Sequence, residues 1–141
     1  MEKLVYALFG DVSASPAEIA SELAALGARR IAVNVSDAHV ESKLGSRITR
    51  LDPTLGGVVS FWLESAVDRG GLERALASTA SDLAGYSVLE SVALSNRTHP
   101  ASPSERTPGI NMIACIAPRT GQPYEARLEY WLEEHRRLPL E

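Results

Sequence analysis

Two apolar runs, KLVYALF at residues 3–9 and GGVVSFWLE at residues 56–64, constrain this chain more than anything else in it. Successive side chains on a strand point to opposite faces, so a sheet with one wet face alternates apolar and polar residues. These runs do not alternate cleanly. Val5, Ala7 and Phe9 oppose Leu4, Tyr6 and Leu8, while Val59, Phe61 and Leu63 oppose Val58 and Trp62. Both faces of a sheet built from them are expected to be at least partly buried. If helices cover one face, something else has to cover the other.

The segments around these runs supply the helices. After the first strand, Ser15, Pro16 and Glu18 form a capping box with proline at the first helical position. Ile19, Leu23 and Leu26 then repeat at helical spacing, and Gly27 supplies the stop. Residues 30–36, RIAVNVS, read as a second strand. Residues 37–54 are polar and irregular, with room for an extra strand near 47–51. A second helix is expected over residues 70–83, with Gly85 as its break, and a fourth strand over residues 86–94. The glycine pairs at 56–57 and 70–71 read as turns. This order is βαββαβ, an α+β arrangement of ferredoxin-like type: an antiparallel sheet with both helices on one face. Residues 1–95 form that repeat, and residues 96–109, rich in Ser, Pro and Thr, a linker. Residues 110–141 start a second copy, a strand at 110–117 and a helix at 124–138, so the second repeat is expected to stop after βα.

Composition narrows the function classes. A formal net charge of -4 over 141 residues opposes a nucleic-acid partner, which asks for a basic face. No apolar run reaches the length of a membrane span, and the N-terminal stretch lacks a basic lead and is too short in its apolar part for an export signal, so a cytoplasmic protein without membrane contact is expected. The single cysteine, Cys115, sits in an apolar run and reads as a buried thiol in a reducing compartment. No phosphate-binding loop, dinucleotide fingerprint, zinc motif or serine-hydrolase elbow occurs, so no cofactor and no metal are expected.

Several segments resemble EthD-domain proteins of the dimeric α/β-barrel superfamily, the long two-repeat bacterial type above all. They are MEKLVYALF, RIAVNVSDAHV, GGVVSFWLES, AGYSVLESVAL, SERTPGI and PRTGQPYEARLEYWLEEHRRLPL. The last carries the most: Arg119, Gly121, Tyr124, Trp131, His135 and the tail Leu138-Pro139-Leu140 match the family's pattern. Pro123 stands where the family usually has a serine cap. The resemblance implies a homodimer whose two sheets pack face to face, and a small hydrophobic ligand held without a cofactor. It also implies pocket histidines that serve dehydration, decarboxylation or oxygenation.

The candidate chemistry follows. Tyr124, Leu128, Trp131, His135 and Leu138 fall within roughly 40° of one helical direction, so His135 is expected to point toward a sheet, as a core histidine or as a proton shuttle. No second His or Cys lies at ligand spacing. Asp37 and His39 follow the second strand. They read as a solvated turn, or as a carboxylate orienting an imidazole on a shared strand face. Glu90, placed in the fourth strand on the face of Tyr86, is an acid or base if that face lines a barrel and a wet-edge residue otherwise. Tyr6, Trp62, Tyr86 and Trp131 are core aromatics or walls for a ligand. Two functions remain open: an EthD-like enzyme acting on a hydrophobic or aromatic carbonyl compound, and a non-catalytic ligand-binding or stress-associated barrel.

Overall fold

The computed structural model describes residues 1–41, 51–90, 92, 97–98, 105–109, 111–114 and 120–134. The chain divides into two compact units, Met1–Glu90 with Ser102–Arg106, and Ser91–Ala101 with Thr107–Glu141.

The first unit is α+β. Strand β1 (Glu2–Phe9) leads to helix α1 (Pro16–Ala25), strand β2 (Arg29–Val35) and a one-turn helix α2 (Ala38–Glu41). Strand β3 (Leu55–Leu63), a 3-10 turn (Ala66–Arg69), helix α3 (Gly70–Ala77) and strand β4 (Asp82–Val88) follow. The four strands make one sheet in the order β2-β3-β1-β4, antiparallel at every pairing, an arrangement compatible with a ferredoxin-like fold. β1, the most apolar run, sits in the interior between β3 and β4; its helix-side residues Leu4, Tyr6 and Leu8 are buried, whereas Val5 and Phe9 on the other face are only partly so.

Local chemistry explains most boundaries. Ser15 accepts from the Glu18 N–H while the Glu18 carboxylate accepts from the Ser15 N–H at 2.8 Å, so the capping box starts α1 as the spacing predicts. The carboxyl of Glu18 is held below its ordinary range by those Ser15 hydrogen bonds. Gly27, at φ 92°, lets the chain leave α1 in the left-handed region. Gly56 and Gly57 are not a turn: both lie inside β3. A Cβ on Gly56 would fall 1.9 Å from the Gly10 carbonyl oxygen, so backbone crowding requires the glycine. Gly70 and Gly71 open α3 instead of making a turn.

Two expected boundaries move. α3 ends at Ala77, six residues early, because the Ser78 and Thr79 hydroxyls donate back to the Ala75 and Leu76 carbonyls at 2.7 and 2.8 Å. The Ser81 N–H then donates to the Phe9 carbonyl at 2.9 Å and starts the pairing with β1. β4 therefore begins at Asp82, four residues before the expected start, and ends at Val88. Gly85, expected as a break, lies in its middle. Glu90 accordingly stands beyond the strand, not within it.

The core lies between the sheet and the two longer helices of this unit. Leu4, Tyr6 and Leu8 of β1 and Val59, Phe61 and Leu63 of β3 pack with Ile19 and Leu23 of α1 and Leu72 and Leu76 of α3. Each large side chain contributes on the order of 1.5–3 kcal/mol by leaving water. The other sheet face carries Val5, Ala7 and Phe9 beside Val58, Ser60 and Trp62, with Ala84, Tyr86 and Val88 on β4. Its centre is apolar, while Lys3, Arg29 and Arg30 gather at one end around Trp62.

In the second unit, helix α4 (Tyr124–Glu129) widens into a π-helical turn (Tyr130–Glu134). The Tyr124, Leu128 and Trp131 stripe is exposed, at 56%, 39% and 36% of full accessibility, so over these residues it does not form the buried face expected. Tyr130 and Trp131 meet edge to face, 6.3 Å between centroids. Residues 111–114 carry no regular structure where a fifth strand was expected; the rest of that strand, the extra strand near 47–51 apart from Leu51, Cys115 and His135 lie outside the described residues. No helix among the described residues is long and apolar enough to cross a membrane.

Candidate functional site

A shallow cleft, largely open to solvent, lies between α3 and the edge strand β4, on the helix-covered side of the sheet. It has two adjoining mouths. The larger, about 480 Å³, is bordered by Tyr6, Gly70, Glu73, Arg74, Ala77, Leu83 and Gly85. The smaller, about 290 Å³, adds Leu4, Ala66, Arg69, Tyr86 and Ser87 around the same Tyr6, Glu73 and Gly85.

Each of these side chains is placed by a local rule. Alternation along β1 puts Tyr6 on the helix side, where it is buried and stacks on Phe61 with centroids 5.6 Å apart and planes 9° from parallel. The β1–β4 register sets Tyr6 directly opposite Gly85. A Cβ at Gly85 would come within 2.4 Å of the Tyr6 ring, so the missing side chain is what admits the aromatic there. On α3, Glu73 follows Leu72, which faces the core, and so reaches the cleft rim. Its Oε1 accepts from the Tyr6 hydroxyl at 2.9 Å and from Arg69 Nε at 3.0 Å. Arg69 is fixed in turn by donating from its terminal nitrogen to the Ala66 carbonyl at 3.0 Å. Ser65 caps that turn by accepting from the Val67 N–H, and Glu2 accepts from the Ala66 N–H.

The electrostatics assign roles. Burial pushes the Tyr6 phenol up to about 12, and the hydrogen bond to Glu73 and its negative charge add to the rise, partly offset by the Arg69 charge. At neutral pH the phenol keeps its one proton and aims it at Glu73. It is therefore not free to polarise a ligand carbonyl. The carboxylate in the cleft is that of Glu73, whose Oε2 receives no hydrogen bond among the described residues, both bonds landing on Oε1.

The residues singled out from sequence are dispersed. Tyr6 is in the cleft. Tyr86 borders its smaller mouth from the strand edge but is in register with Val5, on the other face, and is 57% exposed. Trp62 lies on that other face too, and Trp131 belongs to the second unit. Glu90 is exposed and ion-paired with Lys3, and does not border the cleft. Asp37 and His39 do not share a strand face. His39 sits in α2, and Asp37 Oδ1 accepts from the His39 and Val40 N–H groups at 3.1 and 3.3 Å, capping that turn. Arg106 grips Asp37 with two nitrogens, at 2.6 and 3.3 Å, and this pairing holds the Asp37 carboxyl below its ordinary range. Sequence reasoning missed Glu73, Arg69 and Gly85. The one available signal was the Arg69–Glu73 pair four residues apart beside an apolar stripe, a pattern common on solvated helix faces. Among the described residues no group of three or more His, Cys, Asp or Glu could hold a metal ion.

Comparison with known proteins adds no identity: no family model matches the chain, and no curated protein matches it either.

Proposed function

We propose that the first unit is a ferredoxin-like βαββαβ module of EthD-like type, forming a homodimer, that takes a small hydrophobic or aromatic carbonyl compound into the cleft between α3 and β4. The observation that carries this reading is the carboxylate at the cleft wall: Glu73, fixed through one oxygen by a buried phenol and an arginine, beside an apolar floor of Leu4, Leu83 and Ala77. A carboxylate held in place by donors on one oxygen is suited to cofactor-free proton transfer through the other. Of the reactions the resemblance implies, dehydration fits best. Oε2 takes the proton from the carbon next to the ligand carbonyl, the bond to the β-hydroxyl breaks, and the same proton goes to the departing hydroxide to give water. Tyr6 and Arg69 act as positioning residues. His135, which lies outside the described residues, stays a second candidate proton carrier from the sequence.

The 40% side-chain exposure of Glu73 favours a second reading, a non-catalytic carrier, because the carboxylate is not sequestered from water. One experiment separates the two. Aromatic β-hydroxyketones are titrated into the full chain while backbone amide resonances and product formation are followed. Shifts are expected at Leu83, Gly85 and Ala77, with binding lost in Ala77→Trp, which fills the larger mouth. Glu73→Gln is expected to keep binding and lose turnover. Binding without turnover in the unmodified protein leaves the carrier, and shifts that avoid the cleft remove both readings.

A further inference from the structure

The sheet face away from the cleft holds a second arrangement at one end, none of whose residues borders the cleft, and the site requires that this end stay open in the proposed homodimer. Trp62 on β3 has Lys3 of β1 as its direct cross-strand neighbour on one side and Arg29 of β2 on the other. Between Arg29 and Ala32 the β2 register slips by one residue against β3. The extra residue is accommodated where Arg30 adopts φ 50°, the left-handed region that favours glycine. The consequence is specific: the Arg30 guanidinium carbon lies 5.9 Å from the Trp62 ring centroid, and Lys3 Nζ lies 6.0 Å from it.

Two cations thus reach one half-buried indole, with a third, Arg29, as its cross-strand neighbour, in a chain whose net charge is -4. Lys3 is ion-paired with Glu90, an exposed carboxylate just past β4. Among the described residues neither Arg29 nor Arg30 has an ion-pair partner. A strained backbone that aims an unpaired guanidinium at an aromatic ring does nothing for stability that a glycine would not do better, which is the pattern expected of a binding device. Glu90 sits where an incoming anion would sit, as an internal stand-in for it.

The geometry points to an anion site at Lys3, Arg29, Arg30 and Trp62 that takes a planar aromatic carboxylate or comparable aromatic anion, its charge on the guanidinium groups and its ring against the indole, with Glu90 displaced from Lys3. The charge alone would accept any anion; the indole adds the preference for an aromatic body.

The test uses the full chain carrying Trp131→Phe, which leaves Trp62 as its single tryptophan and hence one indole N–H resonance to follow. Naphthalene-2-carboxylate, naphthalene-2-methanol and inorganic phosphate are titrated in turn. The carboxylate is expected to move the Trp62 resonance saturably, with the alcohol and phosphate at least fivefold weaker. Arg30→Gly removes the guanidinium while relieving the positive φ, so its binding is expected to fall at least fivefold with no loss of melting temperature. Should that variant melt low, Lys3→Met supplies the same comparison without touching the bulge. Glu90→Gln removes the internal competitor and is expected to bind as tightly as the parent or tighter. An equal response to the alcohol or to phosphate overturns the proposal. So does undiminished carboxylate binding in a folded Arg30→Gly or Lys3→Met variant, or weakened binding in Glu90→Gln.

Discussion

Replacing Gly85 with alanine tests the packing on which the cleft depends. An alanine Cβ would stand 2.4 Å from one Tyr6 ring carbon and 3.0 Å from two others, and the Tyr6 ring is already stacked on Phe61. Overpacking of this kind costs about 1–3 kcal/mol. If the ring shifts to relieve it, the Tyr6–Glu73 hydrogen bond is lost as well, about 1.5–3 kcal/mol for a bond to a charged group. Against this, alanine restricts the unfolded chain and suits a strand better, a gain of about 0.4–1 kcal/mol. The balance is a destabilisation of about 1 kcal/mol if the ring holds its place and about 3–4 kcal/mol if it moves, at roughly 4–8 °C of melting temperature per kcal/mol for a unit of this size. Thermal unfolding by circular dichroism, repeated with urea at fixed temperature, measures it. The decisive control is the same substitution in a Tyr6→Leu background, where the ring is gone and alanine should become neutral or stabilising. Gly71→Ala serves as a second control: its Cβ would meet only Leu26 Cδ2 at 3.7 Å, so the helix gains up to about 1 kcal/mol. If Gly85→Ala proved harmless in the parent protein, the account of why a glycine lies in the middle of β4 would be wrong, and the cleft floor with it.

Two further outcomes follow from the same geometry. Tyr6 has its folded-state value raised from about 10 to about 12, so the stability it confers is fully present below pH 10 and is lost as pH rises toward 12. An ultraviolet titration should show one tyrosine ionising late and together with unfolding, and Tyr6→Phe should remove that late component; four tyrosines titrating together would contradict the buried phenol. Ser15→Ala removes the side-chain half of the α1 capping box and should lower stability by about 1 kcal/mol, read from the urea midpoint at constant slope, whereas no change would show that α1 is held by its core face alone.

The elements that could be read from residues were those whose signals are local. The capping box at Ser15 and Glu18, the stripe of Ile19 and Leu23, and the β-branched run of β2 each report a conformation set within one turn or one strand. The α+β class and the four antiparallel strands followed from their order. The misplaced boundaries were non-local. Gly85 looked like punctuation because glycine usually is, yet its role comes from a ring on β1, seventy-nine residues earlier in the chain. Gly56 was misread likewise, its partner being the Gly10 carbonyl. Glu90 fell beyond β4 when the strand shifted. Asp37 proved to be a helix cap gripped by Arg106, a residue from the expected linker.

By itself, then, the order of apolar runs and caps determined that this chain makes a mixed α+β unit with an antiparallel sheet, because strand and helix initiation are decided by neighbours a few positions apart. Only the tertiary structure decided which carboxylate stands beside the Tyr6 phenol and which cations gather on Trp62. Those pairings depend on strand register and on one extra residue in β2, and a shift of a single residue would turn every side chain on the strand to the other face.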